Sequence, residues 1–272
     1  MKDKSILSTH SSLESLKDEV LKQYECLLQS LEYARNNLNN DDSIGLNLRV
    51  GAIISLTSEL EKFISNSLKY MYIEINDGKH SNNELKTNIV MLSLVSHADK
   101  LASKNKRDWA TIYEFIMDIE SSKMYSYNPP NGPVGTIPPL SGSNVGPKEI
   151  KLVYDCLQIK DPPFPEHIKI PSKIEKIYVD NHTREKSLIS TYEDIIVNNN
   201  YITSILSRVL KSRVELAHGY HDIQNYFKDD IYGFDEILKY IYVYIEQIKY
   251  MYNSFYRFVE DKVYLRSNSA QK

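Results

Sequence analysis

Two residues in the last quarter of the sequence have the types and spacing for chemistry on a phosphodiester. They are Arg213 and His218, in the phrase SRVLKSRVELAHGYHDI of residues 207–223. An arginine fork can neutralise a phosphoryl oxygen from two directions. A histidine can take the proton of a ribose 2′-hydroxyl or supply one to the leaving oxygen, and neither task needs a metal. Gly219 follows His218 and reads as a helix end, a place that favours a cationic ring and suits an acid or an anion contact. Five helical steps separate the pair by about 140° around the axis and about 7.5 Å along it. One straight helix therefore does not aim both at a single small target. A second copy across a two-fold axis would supply the missing half, so the motif read as a catalyst predicts a homodimer. Read as coincidence, the same residues are a common spacing and an ordinary cap. His221 is a second proton carrier or a turn residue. Arg208 and Lys211 are either guides for RNA phosphates or a solvated helix face.

Other chemistries lack their residues. GSNVGPK has the wrong spacing for a phosphate-binding loop, and the sequence contains no CxxC, HExxH or GxSxG. His80, His97 and His167 stand without a ligand at helical spacing, so neither a metal nor a cofactor is expected. Lys100, Lys104, Lys106, Arg107 and Trp109 join a basic run to an aromatic that can stack a base, or form a charged loop before a core tryptophan. Net charge is −3, so no global basic field advertises nucleic acid, although a local patch remains compatible with that sum. The opening MKDKSILSTHSS has no apolar stretch of signal-peptide length, and no run reaches the ~20 apolar residues of a membrane span. A cytoplasmic protein with no membrane partner is expected, in which the Asn-His-Thr at Asn181 is an accidental glycosylation match. Cys26 and Cys156 lie within apolar helical patterns and read as buried free thiols.

The elements that must position Arg213 and His218 follow from periodicity. Residues 11–38 place Leu13, Leu16, Val20, Tyr24, Leu27, Leu28, Leu31 and Ala34 on one helical stripe. A second long helix is predicted from about 47 to 72, ended by Asn76-Asp77-Gly78, with shorter stretches near 84–102 and 107–122. Helices are predicted over 148–158, 186–197, 200–218 and 232–262. All ten prolines fall between Pro129 and Pro171. The proline-free arms exclude an all-β chain, which needs turn residues every 8–12 positions or so. The expected fold is all-α, a single domain over 1–272. Its helical arms, 11–122 and 185–265, form an antiparallel bundle around a Pro/Gly-rich, loop-rich insertion, 123–184, which is expected to cap the bundle or border the dimer cleft.

The phrase R-V-E-L-A-H-G, residues 213–219, resembles the Arg-x4–6-His signature of the HEPN superfamily (higher eukaryotes and prokaryotes nucleotide-binding). RVGAIISLTSELEKFISNSLKYMY (49–72) and SNVGPKEIKLVYDCLQIK (143–160) are similar to segments of its larger prokaryotic, RiboL-PSP-HEPN-like branch. The resemblance implies a dimeric helical bundle and a metal-independent endoribonuclease serving toxin–antitoxin, abortive-infection or other anti-phage defence. Arg213 and His218 carry over as catalytic residues, with RNA and a cognate antitoxin or defence protein as partners. Val214 stands where the family usually has a polar residue; Glu215 or Glu61 would then orient His218, or the domain is a non-catalytic module binding nucleotide, RNA or protein. Arg213-x4-His218-x-Tyr220 also resembles the form found in HEPN toxins paired with nucleotidyltransferase antitoxins, which implies that Tyr220 is a site of AMP modification.

Overall fold

The computed structural model describes residues 2–38, 42–92, 113, 116–127, 137, 139–140, 144–179, 186–219, 227 and 230–266. The chain is mostly helical. Its named elements are α1 (Lys2–Asn37), α2 (Ser43–Asp77), α3 (Pro147–Leu157), β1 (His167–Val179), β2 (Lys186–Asn198), α4 (Asn199–His218) and α5 (Phe234–Glu260), with 3₁₀ turns at Asn82–Glu84 and Asp230–Tyr232. Among the described residues no helix is long and apolar enough to cross a membrane.

The long helices form where the stripes predict them. The predicted apolar positions of α1 from Leu13 to Ala34 are buried except Leu27, which is half-buried at the edge of the stripe. The helix begins nine residues before the stripe, at Lys2 rather than at 11. No glycine or proline stands in residues 2–10, and adding a residue to an existing helix is far easier than nucleating one. At the start of α2 the Asp42 carboxylate accepts the Ile44 N–H at 2.9 Å, the capping arrangement that frees a helix to begin. Cys26 is exposed rather than buried, because two helical steps place it about 200° around α1 from the buried Tyr24. Cys156 is half-buried, and burial pushes its thiol pKa up.

The middle of the chain differs from its sequence reading. Residues 186–197, predicted helical, form β2, and part of the stretch read as irregular forms β1. The two strands pair antiparallel over thirteen residues, from His167 with Asn198 to Val179 with Lys186. The apolar residues of β2 satisfy either period, so its partner decides. His-Ile-Lys-Ile in β1 alternates strictly, with Ile168 and Ile170 buried and His167 and Lys169 exposed. The β-branched run Ile195-Ile196-Val197 suits the same pairing. Pro171 lies within β1 opposite Asp194; each strand of a two-stranded ribbon is an edge, where a missing N–H is tolerated. Pro147 likewise starts a helix instead of breaking one, at the first position of α3.

By its internal contacts the chain divides into two compact units. The first comprises Met1–Val20, Leu60–Pro163 and Lys249–Lys272, and the second Leu21–Glu59 and Phe164–Ile248. In the first, Phe255 of α5 stacks near Phe63 of α2 and meets Tyr154 of α3, with ring centroids 6.1 and 5.9 Å apart. Thr9 donates to the buried Glu74 carboxylate at 2.9 Å. Residues after α5 are strapped across the segment that follows α2: Lys86 N–H donates to Tyr264 O, Arg266 N–H to Glu84 O, and the Arg266 guanidinium forks onto Glu120 at 3.0 and 3.1 Å. In the second unit, Tyr24 of α1 donates to Leu56 O of α2 at 2.9 Å and meets Tyr244 of α5 edge-on. Both phenols are fully buried, and burial drives their pKa values upward.

Candidate functional site around helix α4

The site is built on α4, in the second unit. The helix follows β2 without a linker: Asn198, the last residue of the strand, is also the N-cap, its side-chain oxygen accepting the Tyr201 N–H at 3.0 Å. The buried residues of α4 are Ile202, Ile205, Leu206, Val209 and Ser212. At about 100° per residue they occupy an arc of about 120°. Arg213 falls inside that arc and is half-buried, whereas His218 lies on the opposite side and is exposed. Gly219 ends the helix in the left-handed region, φ +64°, and its N–H reaches back to the carbonyls of Glu215 and Leu216. A side chain there would meet no neighbour within 4 Å, so the requirement for glycine is conformational.

The other predicted residues are distributed around this helix. Lys211 is exposed, 3.8 Å from the Glu215 carboxylate one turn on, a surface pair of small energetic consequence. Val214 and Glu215 are half-buried. Arg208 is engaged by Tyr240 of α5: its Nη1 donates to the phenol oxygen at 2.9 Å, and that bond raises the guanidinium's pKa. Glu61 is buried in α2 and belongs to the first unit, whereas Arg213, Glu215 and His218 belong to the second. Tyr220 and His221 lie outside the described residues, as do His97, the segment from Lys100 to Trp109, and Asn181. His80 packs near the Tyr264 ring, and His167 is exposed beside Glu166. Among the described residues no group of three or more His, Cys, Asp or Glu side chains is arranged to hold a metal ion.

Sequence reasoning missed the residues that pin the chain on the far side of the motif. Arg49 of α2 is only 2 % exposed. Its Nη1 donates to Tyr232 O at 2.7 Å and to Phe227 O at 3.3 Å. Its guanidinium carbon also stands 5.3 Å from the centre of the Phe234 ring and 5.7 Å from that of Phe227. Carbonyl oxygens and aromatic faces together offset the cost of taking the cation out of water. Ser212, wholly buried, lies 2.9 Å from Arg208 O and 2.9 Å from the Tyr232 hydroxyl. Ser212 has one proton and spends it on Arg208 O, so the Tyr232 hydroxyl donates to Ser212. Tyr240 passes the same logic along, accepting from Arg208 and donating to Ile231 O at 2.7 Å. The signal for Arg49 is present in the sequence as a cation on the apolar stripe of α2, three, four and seven residues before Ala52, Ile53 and Leu56.

The chain matches no protein-family model, no curated protein and no solved structure.

Proposed function

We propose that this chain is a HEPN-type, metal-independent endoribonuclease that acts as a homodimer in the cytoplasm, in a toxin–antitoxin or anti-phage defence system. The observation that carries the reading is the Arg213–Gly219 phrase set at the end of α4, with His218 exposed in the last turn and Gly219 closing the helix. In this reading Arg213 neutralises the phosphoryl oxygen and His218 is the proton carrier, suited by its place at the helix end to supplying the leaving oxygen while water takes the proton of the ribose 2′-hydroxyl. The 2′-oxygen forms its bond to phosphorus as the bond to the 5′-oxygen breaks, and a proton delivered to that oxygen completes departure. The products are a 2′,3′-cyclic phosphate and a 5′-hydroxyl. Within one helix Arg213 and His218 diverge by about 140°, so each active centre pairs them across two copies. Arg208 and Lys211 then line the approach of RNA phosphates, Glu215 orients His218, His221 is a second proton carrier, and Tyr220 is the position for AMP modification by an antitoxin partner.

The test is cleavage of single-stranded RNA in EDTA by wild type, Arg213→Ala and His218→Ala. Cutting by wild type alone, with cyclic-phosphate ends, is the expected result. Intact RNA with the wild-type dimer, or cutting by both variants at the wild-type rate, refutes it. The half-buried, apolar Val214 favours a second reading, a non-catalytic HEPN module that binds nucleotide, RNA or a partner protein. That reading predicts RNA retention without cutting, and no growth arrest dependent on Arg213 and His218.

A further inference from the structure

Between α4 and α5, Phe227 and Ile231–Tyr232 are held by polar side chains of three helices, α2, α4 and α5. From α2, Arg49 donates to the carbonyls of Phe227 and Tyr232. From α4, Ser212 receives the Tyr232 hydroxyl, and Arg208 reaches Ile231 O through Tyr240. Three main-chain oxygens of one segment are thus each met by a donor. Packing alone does not call for this arrangement. A leucine or methionine at 49 would fill the space between Phe227 and Phe234 without burying a charge, but it would leave the Phe227 and Tyr232 carbonyls without the Arg49 donor. What the donors add is direction, because a hydrogen bond fixes the rotation of the groups it joins and an apolar contact does not.

Ser212 precedes Arg213 in the chain, and its hydroxyl is bonded on both sides, to Arg208 O within its own helix and to Tyr232 beyond it. The rotation of the turn that begins at Ser212 therefore depends on where Tyr232 stands. Tyr232 is held in turn by its own carbonyl on Arg49. We infer that Arg49, Ser212 and Tyr232 are positioning residues: they latch Phe227 and Tyr232 against α2 and α4 and fix the rotation of the turn carrying Arg213 and His218. This rests on the proposed function only in naming that turn as the site. The latch holds the last turns of α4 in the helical phase that half-buries Arg213 and turns His218 outward. Without it the last two turns of α4 would be free to fray from Gly219 inward, as helix ends do.

The test uses the full chain and does not require RNA. Residue-resolved amide hydrogen exchange is measured for wild type, Ser212→Ala, Tyr232→Phe and the double variant, with Thr203→Ala as control. Thr203 also donates to a carbonyl of α4, Asn200 O, at the exposed end of the same helix. Loss of one hydrogen bond corresponds to about fivefold faster local opening. The expected pattern is that rise at residues 213–218 in Ser212→Ala and Tyr232→Phe, with 202–206 unchanged. The double variant should match Ser212→Ala, which already loses the Tyr232 bond together with its own bond to Arg208 O. Arg49→Lys, which keeps the charge and loses the fork, should fall between them and wild type. Equal exchange at 213–218 in wild type and both single variants overturns the inference, and so does an equal rise along all of α4. If the wild type cuts RNA, the same variants should lose kcat with KM retained. If it cuts none while the exchange pattern holds, the ribonuclease reading fails and the latch stands.

Discussion

Replacing Arg49 measures what a buried cation contributes to the carbonyl oxygens and aromatic faces packed against it. Arg49→Ala removes a charge-assisted bond of 2.7 Å to Tyr232 O and a longer one of 3.3 Å to Phe227 O, and it opens the space between the Phe227 and Phe234 rings. Both carbonyls belong to residues less than 7 % exposed, so neither regains water freely. One well-formed charged hydrogen bond, one longer bond and the cavity together predict a loss of about 3–5 kcal/mol. Arg49→Met separates these contributions. It fills the cavity and keeps contact with the rings but leaves the two oxygens unpaired, for a loss of about 2 kcal/mol. Urea denaturation followed by circular dichroism at 222 nm is the assay, and the alanine variant is expected to unfold at about 1–2 M less urea. The order wild type, Met, Ala is the prediction. A methionine variant as stable as wild type, at unchanged m-value, would show that the hydrogen bonds to Tyr232 and Phe227 contribute nothing net.

Three further outcomes follow from single residues. Gly219→Ala places a β-carbon at φ +64° in open space, so it should cost about 1 kcal/mol through backbone strain alone, read as a small drop in Tm with the core unaltered. Iodoacetamide should alkylate the exposed Cys26 quickly and Cys156 slowly, because burial raises the Cys156 thiol pKa and leaves less thiolate at neutral pH; equal rates by peptide mass mapping would contradict the placement of both. The Arg266 fork holds the exposed Glu120 carboxyl below the usual carboxylate range. A depressed folded-state pKa gives stability that is present above the unfolded value and lost as pH falls through the folded one. The carboxyl carbon of Glu120 should therefore titrate at lower pH in the wild type than in Arg266→Gln, where the fork is gone.

The parts of the fold legible in the sequence are those where one period dominates. The stripes of α1, α2 and α5 admit only a helix, and the Gly219 end of α4 is marked by the residue type that a left-handed cap requires. The hairpin was illegible because Leu188, Ile189, Tyr192, Ile195 and Ile196 fit a helical stripe as well as a strand. The choice lies in pairing with β1, a contact between segments that a local window does not contain. The early start of α1 escaped for the opposite reason, since helix propagation needs no apolar signal. Type and spacing single out Arg213 and His218 as candidates. Arg49 was passed over because a charge on an apolar stripe reads as an imperfection of the pattern, although burial makes it a polar anchor for another segment.

The direct passage from β2 into α4 limits how the chain can change in length. Asn198 pairs with His167 in the ribbon and caps the helix in the same stroke, so strand parity and helix phase are locked to one another at a single residue. One residue inserted between Asn198 and Asn199 would turn α4 by about 100° relative to the ribbon. Arg213 would leave the buried arc, and His218 would swing toward it. The ribbon itself carries no such restriction at its other end, where residues added in cross-strand pairs beyond Val179 and Lys186 preserve the register below. Length variation in this chain is therefore tolerable at the closed end of the hairpin and forbidden at its root.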